Sequence, residues 1–320
     1  MSSPLSPLES NAQAGHDAGP PPFRHRMHSI FLGPNGLRAG WRFLIAAGLM
    51  LSIGRGLSIG MKHIPAIHAW MHQQLPGVFA PGQMLVGECL QVLVLLATVG
   101  IMKRIERRSF TDYGLPWDIA FRKRFWQGTL LGFVALTLLV ASIAGLRGFS
   151  LGTWALTFGD ALRYGVVYLV AFVLVGFFEE FSFRGYFQAT LGSGIGFWPA
   201  ALVLAALFGA GHLNNVGEAA FGAIMAGSFG LLAAFSLRRT GNLWFAIGMH
   251  AAWDWGETYF YSVPDSGIMA QGHLLNSSFH GPNWLTGGTV GPEGSFLVFP
   301  VLALTAAAIH FFFPARQPSQ

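Results

Sequence analysis

The chain has 320 residues, of which only 10% are charged and 52% are hydrophobic. A soluble domain carries roughly 25% charged residues, so this composition excludes a soluble enzyme, a nucleic-acid-binding protein and a disordered protein. Basic loops that set membrane topology explain the net charge of +5, so no nucleic-acid partner is expected. The composition predicts a polytopic protein of the all-α class that is surrounded by membrane lipid.

The apolar segments divide the chain into three regions. Residues 1–36 are expected to be a disordered or interfacial tail, residues 37–314 a transmembrane helical domain, and residues 315–320 a C-terminal tail. A transmembrane helix needs about 20 mostly apolar residues. About eight such helices are predicted, at Trp41–Ile59, Gln83–Met102, Phe125–Leu146, Arg163–Ala189, Trp198–Asn214, Ala219–Leu237, Asn242–Phe260 and Gly294–Phe313.

Basic residues predict the orientation of these helices. They are dense within Lys103–Arg124, recur at Arg238 and Arg239, and also precede or open the first helix. With eight helices all these groups fall on one side, and the Trp255–Glu293 connection, which contains no Lys or Arg, falls on the other. Positively charged loops mark the cytoplasmic side, so both termini are expected to be cytoplasmic.

Ionisable residues inside apolar segments are costly and point to function. Glu180 and Arg184 lie four residues apart, so they share a helix face and are expected to pair. Glu179 is rotated by about 100° from Glu180 and lacks such a cation. An unpaired carboxylate in a low-dielectric site gains affinity for protons, as a general base acting on water requires. The alternative is a pair of solvated acids at a helix end.

Two later segments carry histidines. His212 follows an apolar run, and alone it is more typical of a core histidine that is hydrogen-bonded to a carbonyl group. His250 and Asp254 share a helix face at a spacing of four residues, where a carboxylate fixes the tautomer of an imidazole. A packed polar pair is the equally plausible alternative for these two residues.

The depth of these groups links the three segments. If the fourth helix runs to about Thr190 and Gly192–Gly196 forms a turn, Glu179 lies ~16 Å from the cytoplasmic helix end at 1.5 Å per residue. On the same measure His212 lies at ~22 Å and His250 at ~12 Å. Three helices therefore place ionisable groups in one layer near the middle of the bilayer, which predicts a buried hydrolytic or proton-handling site that opens to the cytoplasm.

These motifs resemble those of the CPBP family of intramembrane proteases, which contains the type II CAAX prenyl endopeptidases and the bacterial Abi proteins. The family signature is Glu-Glu-x-x-x-Arg, then Phe-x-x-x-His, then His-x-x-x-Asn or Asp. The sequence shows this order as Glu179-Glu180 with Arg184, Phe208 with His212, and His250 with Asp254. The resemblance covers residues 163–260, the expected catalytic core, and a bacterial inner membrane is the location that we expect.

The resemblance implies hydrolysis of a peptide bond near the C-terminus or membrane-adjacent part of a peptide or protein substrate, which is lipid-modified in part of the family. By match of position, Glu179 would activate water with His212, whereas Glu180, Arg184 and Phe208 would give structural support. His250 and Asp254 would stabilise the oxyanion. Eukaryotic members have Asn at the last position, and an ionised Asp254 cannot donate a hydrogen bond as that amide does.

Other functions remain open at the level of sequence. No cofactor is favoured, but Glu179, His212 and His250 are candidate zinc ligands, with Glu180 and Asp254 as further donors. A non-catalytic immunity or scaffold protein of the same fold is the main alternative to a protease. A proton-coupled transporter, with Glu88 in the relay, is less favoured because the sequence contains no inverted repeat.

Overall fold

The computed structural model describes residues 30–33, 36–71, 73, 78–213 and 220–314. Most of the tail that we predict at residues 1–36, the C-terminal tail at 315–320, and the helix-end residues Asn214 and Ala219 lie outside these ranges. Within them the fold is helical. The helices are α1 (Ala39–Lys62), α2 (Pro65–Met71), α3 (Pro81–Glu106), α4 (Lys123–Gly145), α5 (Phe158–Glu180), α6 (Gln188–Ile195), α7 (Phe197–His212), α8 (Ala220–Thr240), α9 (Leu243–Trp255), α10 (Asn283–Thr286) and α11 (Val298–Phe312).

Two π-helical segments extend the helices that carry the motifs. Phe181–Phe187 joins α5 to α6, so the chain is helical from Phe158 to Ile195, and Gly256–Phe260 continues α9. Three 3₁₀ turns, at Thr111–Tyr113, Trp117–Ile119 and Pro292–Gly294, lie in the connections. Wider π turns rotate the side chains that follow them, and they are frequent at functional sites.

In the described part of the chain, six two-residue strands form three short pairs. They are β1 (Leu32–Gly33), β2 (Gly36–Leu37), β3 (Val78–Phe79), β4 (Phe149–Ser150), β5 (Met269–Ala270) and β6 (Ser278–Phe279). β1 pairs with β2 and β4 with β6 in antiparallel fashion, whereas β3 and β5 are parallel. The β3–β5 pair attaches the long connection after α9 to the start of α3, and the β4–β6 pair attaches it to the end of α4.

The basic segments meet at one end of the helix bundle. Arg42, near the start of α1, forms an ion pair with Glu106 at the end of α3, with 2.8 Å between Nη1 and Oε2. The backbone N–H of Leu243 donates to the carbonyl oxygen of Gly114, which ties the start of α9 to the same end. The Trp255–Glu293 connection, attached through the strand pairs, lies at the other end, as the charge pattern predicts.

Helix α9 lies at the centre of the bundle, because every residue from Leu243 to Asp254 is buried. Glycines let α4 approach it closely: a Cβ atom at Gly128 or Gly132 would overlap the carbonyl oxygen of Phe245 or Met249. Small residues four apart allow such close helix packing in membranes, where apolar burial gives little driving force. This packing fixes the position of the helix that carries His250 and Asp254.

Each of the eight predicted transmembrane segments contains a helix, and the all-α membrane fold is confirmed. Among the residues that the structure describes, five helical stretches are long and apolar enough to cross a membrane: α1, α3, α4, the continuous helix Phe158–Ile195, and α8. The other three segments contain shorter α-helices. Helices α7 and α11 have 16 and 15 residues, and α9 has 13 residues before its π turn. Burial of α9 by its neighbours removes the need for it to match the bilayer thickness alone.

The predicted turn at Gly192–Gly196 is wrong in its extent. The helix continues to Ile195, and Gly196 alone makes the turn with φ of +89°. From that later end, Glu179 lies ~24 Å along the helix at 1.5 Å per residue. The corrected depth is nearer to the ~22 Å of His212 than the sequence predicted.

Candidate active site

Glu180 and Arg184 form the predicted ion pair within the α5 helix and its π-helical extension. Arg184 Nη1 lies 3.2 Å from Glu180 Oε1, and both side chains are almost completely inaccessible to solvent. Arg184 Nε also donates to the carbonyl oxygen of Gly230 in α8 at 3.2 Å. The arginine therefore fixes the position of α8 against α5 as well as neutralising the acid.

Phe208 on α7 links this arginine to His212. Its ring lies under the Arg184 guanidinium, with 4.2 Å between the guanidinium carbon and the ring centroid. The same ring contacts the imidazole of His212, with 4.6 Å between the centroids. This contact agrees with the supporting role that the family resemblance implies for Phe208.

His212 makes the hydrogen bond to a carbonyl group that is typical of a core histidine, as expected from the sequence for this residue alone. Its Nδ1 lies 2.8 Å from the carbonyl oxygen of Phe208. A carbonyl oxygen can only accept, so Nδ1 carries the proton and the neutral ring presents Nε2 as an acceptor. Among the described residues, His212 and Glu179 are not joined by a hydrogen bond, but both line the same cavity. His212 is half-buried there.

His250 is surrounded by three carboxylates. Its Nδ1 lies 2.8 Å from Glu180 Oε1, and this hydrogen bond joins α9 to α5. Its Nε2 lies 3.4 Å from Asp254 Oδ2 and 3.6 Å from Glu179 Oε2. Carboxylates only accept hydrogen bonds, so a doubly protonated imidazolium matches this environment at both nitrogens.

These distances correct two expectations. Asp254 was expected to orient the His250 ring, but Glu180 makes the short hydrogen bond, at 2.8 Å against the 3.4 Å that separates His250 Nε2 from Asp254. Glu179 does lack a partner on its own helix, yet it faces His250 across the helix interface. His250 Nε2 thus lies between Glu179 and Asp254 at separations longer than a good hydrogen bond.

Seven ionisable residues line one cavity of about 260 Å³. Four of them come from the motifs found in the sequence, and the cavity walls also include Phe208, Phe229 and Trp253. The seven are Glu88, Glu179, His212, His250, Asp254, Asp265 and Glu293. The predicted site residues are therefore brought together in a single space, with Glu180 and Arg184 directly behind it.

Sequence reasoning did not find Asp265, Ser266 and Glu293, which line the same cavity. Burial, and then the negative charges of Asp254 and Glu293, raise the pKa of Asp265 well above its usual range. The signal that was missed lies in the composition of the Trp255–Glu293 connection, where buried acids occur without any Lys or Arg. No local spacing linked Asp265 to Glu293, because they are brought together by the turns of the connection.

The candidate zinc ligands do not form a compact set within the described residues. Carboxylate and ring atoms from three residues come within 4.8 Å of one another only at Glu257, Asp265 and Glu293, which contain no histidine. Glu179, His212 and His250 share the cavity without forming such a cluster. The motif residues therefore surround a shared cavity, and a zinc role for them stays a prediction.

Comparison with known proteins identifies the segment that carries these motifs. Residues 161–256 match the model of a family described as type II CAAX prenyl endopeptidase Rce1-like. No curated protein and no solved structure gave a significant match to the chain. The matched segment includes Glu179-Glu180, Arg184, Phe208, His212, His250 and Asp254. The predicted resemblance to the CPBP family of CAAX proteases is therefore confirmed over residues 161–256 of this integral membrane protein.

Proposed function

We propose that the chain is an intramembrane endopeptidase that hydrolyses a peptide bond with water activated by Glu179 and His212. The observation that carries this proposal is the shared cavity, where both residues meet His250 and Asp254. The Rce1-like match supports a CAAX-type endopeptidase in general. The cavity supports the choice of these four residues, because their side chains line the space where we place the scissile bond.

Glu179 is the proposed general base. It lacks a cation on its own helix, and its carboxylate faces the cavity with about a quarter of its side chain exposed. It would take a proton from water while the oxygen attacks the peptide carbonyl carbon. The proton would then pass to the departing amine nitrogen as the C–N bond breaks. His212, through its free Nε2, would hold the same water in line for the attack.

His250 is the proposed oxyanion donor. Glu180 holds Nδ1, so Nε2 is directed towards the cavity between Glu179 and Asp254. An N–H at that position can donate to the negative oxygen that develops on the tetrahedral intermediate, and such donors are worth about 10²–10³ in kcat. Asp254 would favour the protonated ring that donates, and it would not donate itself.

The substrate is proposed to be a peptide or protein segment near the membrane, in part lipid-modified, that enters from the cytoplasmic side. The basic end of the bundle supports this orientation, since positively charged loops face the cytoplasm. A bacterial inner membrane fits the same orientation, with both termini in the cytoplasm.

Cleavage of a peptide library by the purified full-length protein tests the proposal. Glu179→Gln should keep the fold and lower turnover at least ~10²-fold, the usual scale for loss of a general base. Glu88→Gln removes the charge of another acid in the same cavity and should retain cleavage. If the protein were instead a proton-coupled transporter with Glu88 in its relay, the same substitution would abolish transport. A folded Glu179→Gln protein with unchanged turnover would exclude Glu179 as the base. Loss of wild-type activity on adding a chelator, with recovery on adding zinc but not calcium, would favour the zinc alternative.

A further inference from the structure

A second group of carboxylates lies beside the candidate active site. Glu257 is in the π turn that continues α9, Asp265 is in the connection that follows, and Glu293 is at the 3₁₀ turn before α11. One carboxylate oxygen from each residue lies within 4.8 Å of the other two. Glu257 and Asp265 are buried, and Glu293 is half-buried at the cavity wall.

This group has no positive partner among the described residues. No Lys, Arg or His in the described part of the chain forms an ion pair with Glu257, Asp265 or Glu293. Glu257 is the critical member, because it is fully buried and neither of its carboxylate oxygens has a hydrogen-bond partner in the structure. Burying an unpaired carboxylate is costly, so this side chain points to a missing positive charge.

We propose that Glu257, Asp265 and Glu293 bind a divalent cation of the Ca²⁺ class. Three carboxylates and no nitrogen or sulfur donors form the ligand set of a hard cation. Opposite oxygens around Ca²⁺ are about 4.6–5.2 Å apart, since each bond measures about 2.3–2.6 Å. Three carboxylate oxygens that all lie within 4.8 Å of one another are therefore close enough together for one ion to contact all three.

Neutral donors hold two of the carboxylates in place. Trp253 Nε1 and Ser266 Oγ donate to the two oxygens of Glu293 at 3.1 and 3.0 Å, and Thr258 Oγ1 donates to Asp265 Oδ2 at 2.9 Å. Hydrogen bonds of this kind orient metal-binding carboxylates without neutralising them. Glu257 has no such bond and is left for the cation.

The cavity gives the ion a route to this group, because Asp265 and Glu293 line its wall. The cation would tie the connection after α9 to the π turn at Gly256–Phe260, one turn beyond Asp254. It would thereby close the side of the candidate active site that faces away from the basic end. The site is distinct from the zinc site considered for Glu179, His212 and His250, since it shares none of those ligands.

Calcium binding by the purified full-length protein tests this proposal. After treatment with EDTA, titration calorimetry should show one Ca²⁺ per chain for the wild type, and Ca²⁺ should raise the melting temperature. Glu257→Gln should weaken binding about 100-fold or more and abolish the thermal shift. Glu88→Gln is the matched control, because it removes an acid from the same cavity outside the group, and it should bind like the wild type.

The metal-free proteins give an independent measurement. Without Ca²⁺, Glu257→Gln should melt at or above the wild-type temperature, because the substitution removes an uncompensated buried charge. With saturating Ca²⁺ the order should reverse. If Glu257→Gln does not fold, Glu293→Gln takes its place in the same titration.

Two outcomes would overturn the proposal. One is a wild-type protein that shows no Ca²⁺ heat and no thermal shift, which would mean that the group is neutralised by protons. The other is binding that Glu257→Gln and Glu293→Gln both leave unchanged, which would place the ion elsewhere. Because the readout is binding, these results are independent of whether the protein cleaves peptides.

Discussion

Glu180 Oε1 lies 2.8 Å from His250 Nδ1 and 3.2 Å from Arg184 Nη1, so one carboxylate oxygen joins two of the three sequence motifs. The pairing with Arg184 keeps this acid ionised, and an ionised acid is a strong acceptor for the imidazole N–H. The orientation of His250 therefore depends on an arginine that it does not touch. Substitution of Arg184 is therefore expected to lower both the stability of the fold and the contribution of His250 to turnover.

Arg184→Ala is expected to destabilise the protein by about 3–5 kcal/mol, because it leaves Glu180 buried without its cation. Thermal unfolding in detergent would measure the loss, with Arg163→Ala as the control. Arg163 lies on the same helix but is exposed, so its removal should change the melting temperature little. If Arg184→Ala lowered activity at an unchanged melting temperature, Arg184 would be a substrate contact.

Gly230→Ala is expected to destabilise the protein through the same arginine. A methyl group at Gly230 would overlap Nη2 of Arg184, whose guanidinium is buried and held through Nη1 by Glu180 and through Nε by the carbonyl oxygen of Gly230. Overpacking of this kind costs about 1–3 kcal/mol. Gly100→Ala in α3 is the matched control, since no atom lies within 4 Å of its added methyl group. Equal melting temperatures for the two variants would contradict the tight packing at Gly230.

His250 and Asp254 are expected to act unequally. Because Glu180 already orients the ring, Asp254→Asn should retain part of the turnover, whereas His250→Ala should lose at least ~10²-fold. The double variant should lose little beyond His250→Ala, because effects of interacting residues are not additive. Turnover of the three variants across a zinc titration provides the measurement. Additive losses would show independent action, and rescue of Asp254→Asn by zinc would assign a ligand role.

Cysteine labelling can test the orientation of the bundle. Cys89 is exposed and must first be replaced. Lys123→Cys marks the basic end and Gln271→Cys the opposite connection, and both positions are exposed. A membrane-impermeant maleimide added from outside intact cells should label the Cys at 271 and leave the Cys at 123 unlabelled. The reverse pattern would invert the predicted topology.

A third cysteine addresses the opening of the cavity. Ala226 lies on the cavity wall, so labelling of Ala226→Cys reports from which side of the membrane solvent reaches the cavity. We expect labelling in inverted vesicles, where the cytoplasmic face is exposed, and protection in intact cells. Labelling from outside alone would place the opening at the end formed by the Trp255–Glu293 connection.

The sequence predicted those parts of the site that are local on one helix. The Glu180–Arg184 pair and the His212 hydrogen bond both join residues four positions apart, so helical spacing alone predicts them. The bond between His250 and Glu180 spans 70 positions, and no periodicity reports such a contact. The family motifs placed these residues in one site, but they did not indicate which acid holds the imidazole.

The rest of the fold was predictable to different extents. Apolar length located each of the eight helical segments, because a span must satisfy its backbone hydrogen bonds internally. It overestimated the length of α11, and the helix predicted at Asn242–Phe260 is α-helical only to Trp255, where a π turn continues it. The π turns after Glu180 and Trp255 have no sequence signature, and Asp265 and Glu293 meet only through an irregular connection.

The glycine contacts between α4 and α9 have a consequence for biogenesis. They join residues more than a hundred positions apart, so α4 is synthesised well before the helix that covers its glycine face. Glu180 and Arg184 belong to one helical stretch and can neutralise each other before α9 is made. His250 can reach Glu180 only after α9 has been synthesised, so the bond that joins the two motifs forms late in synthesis.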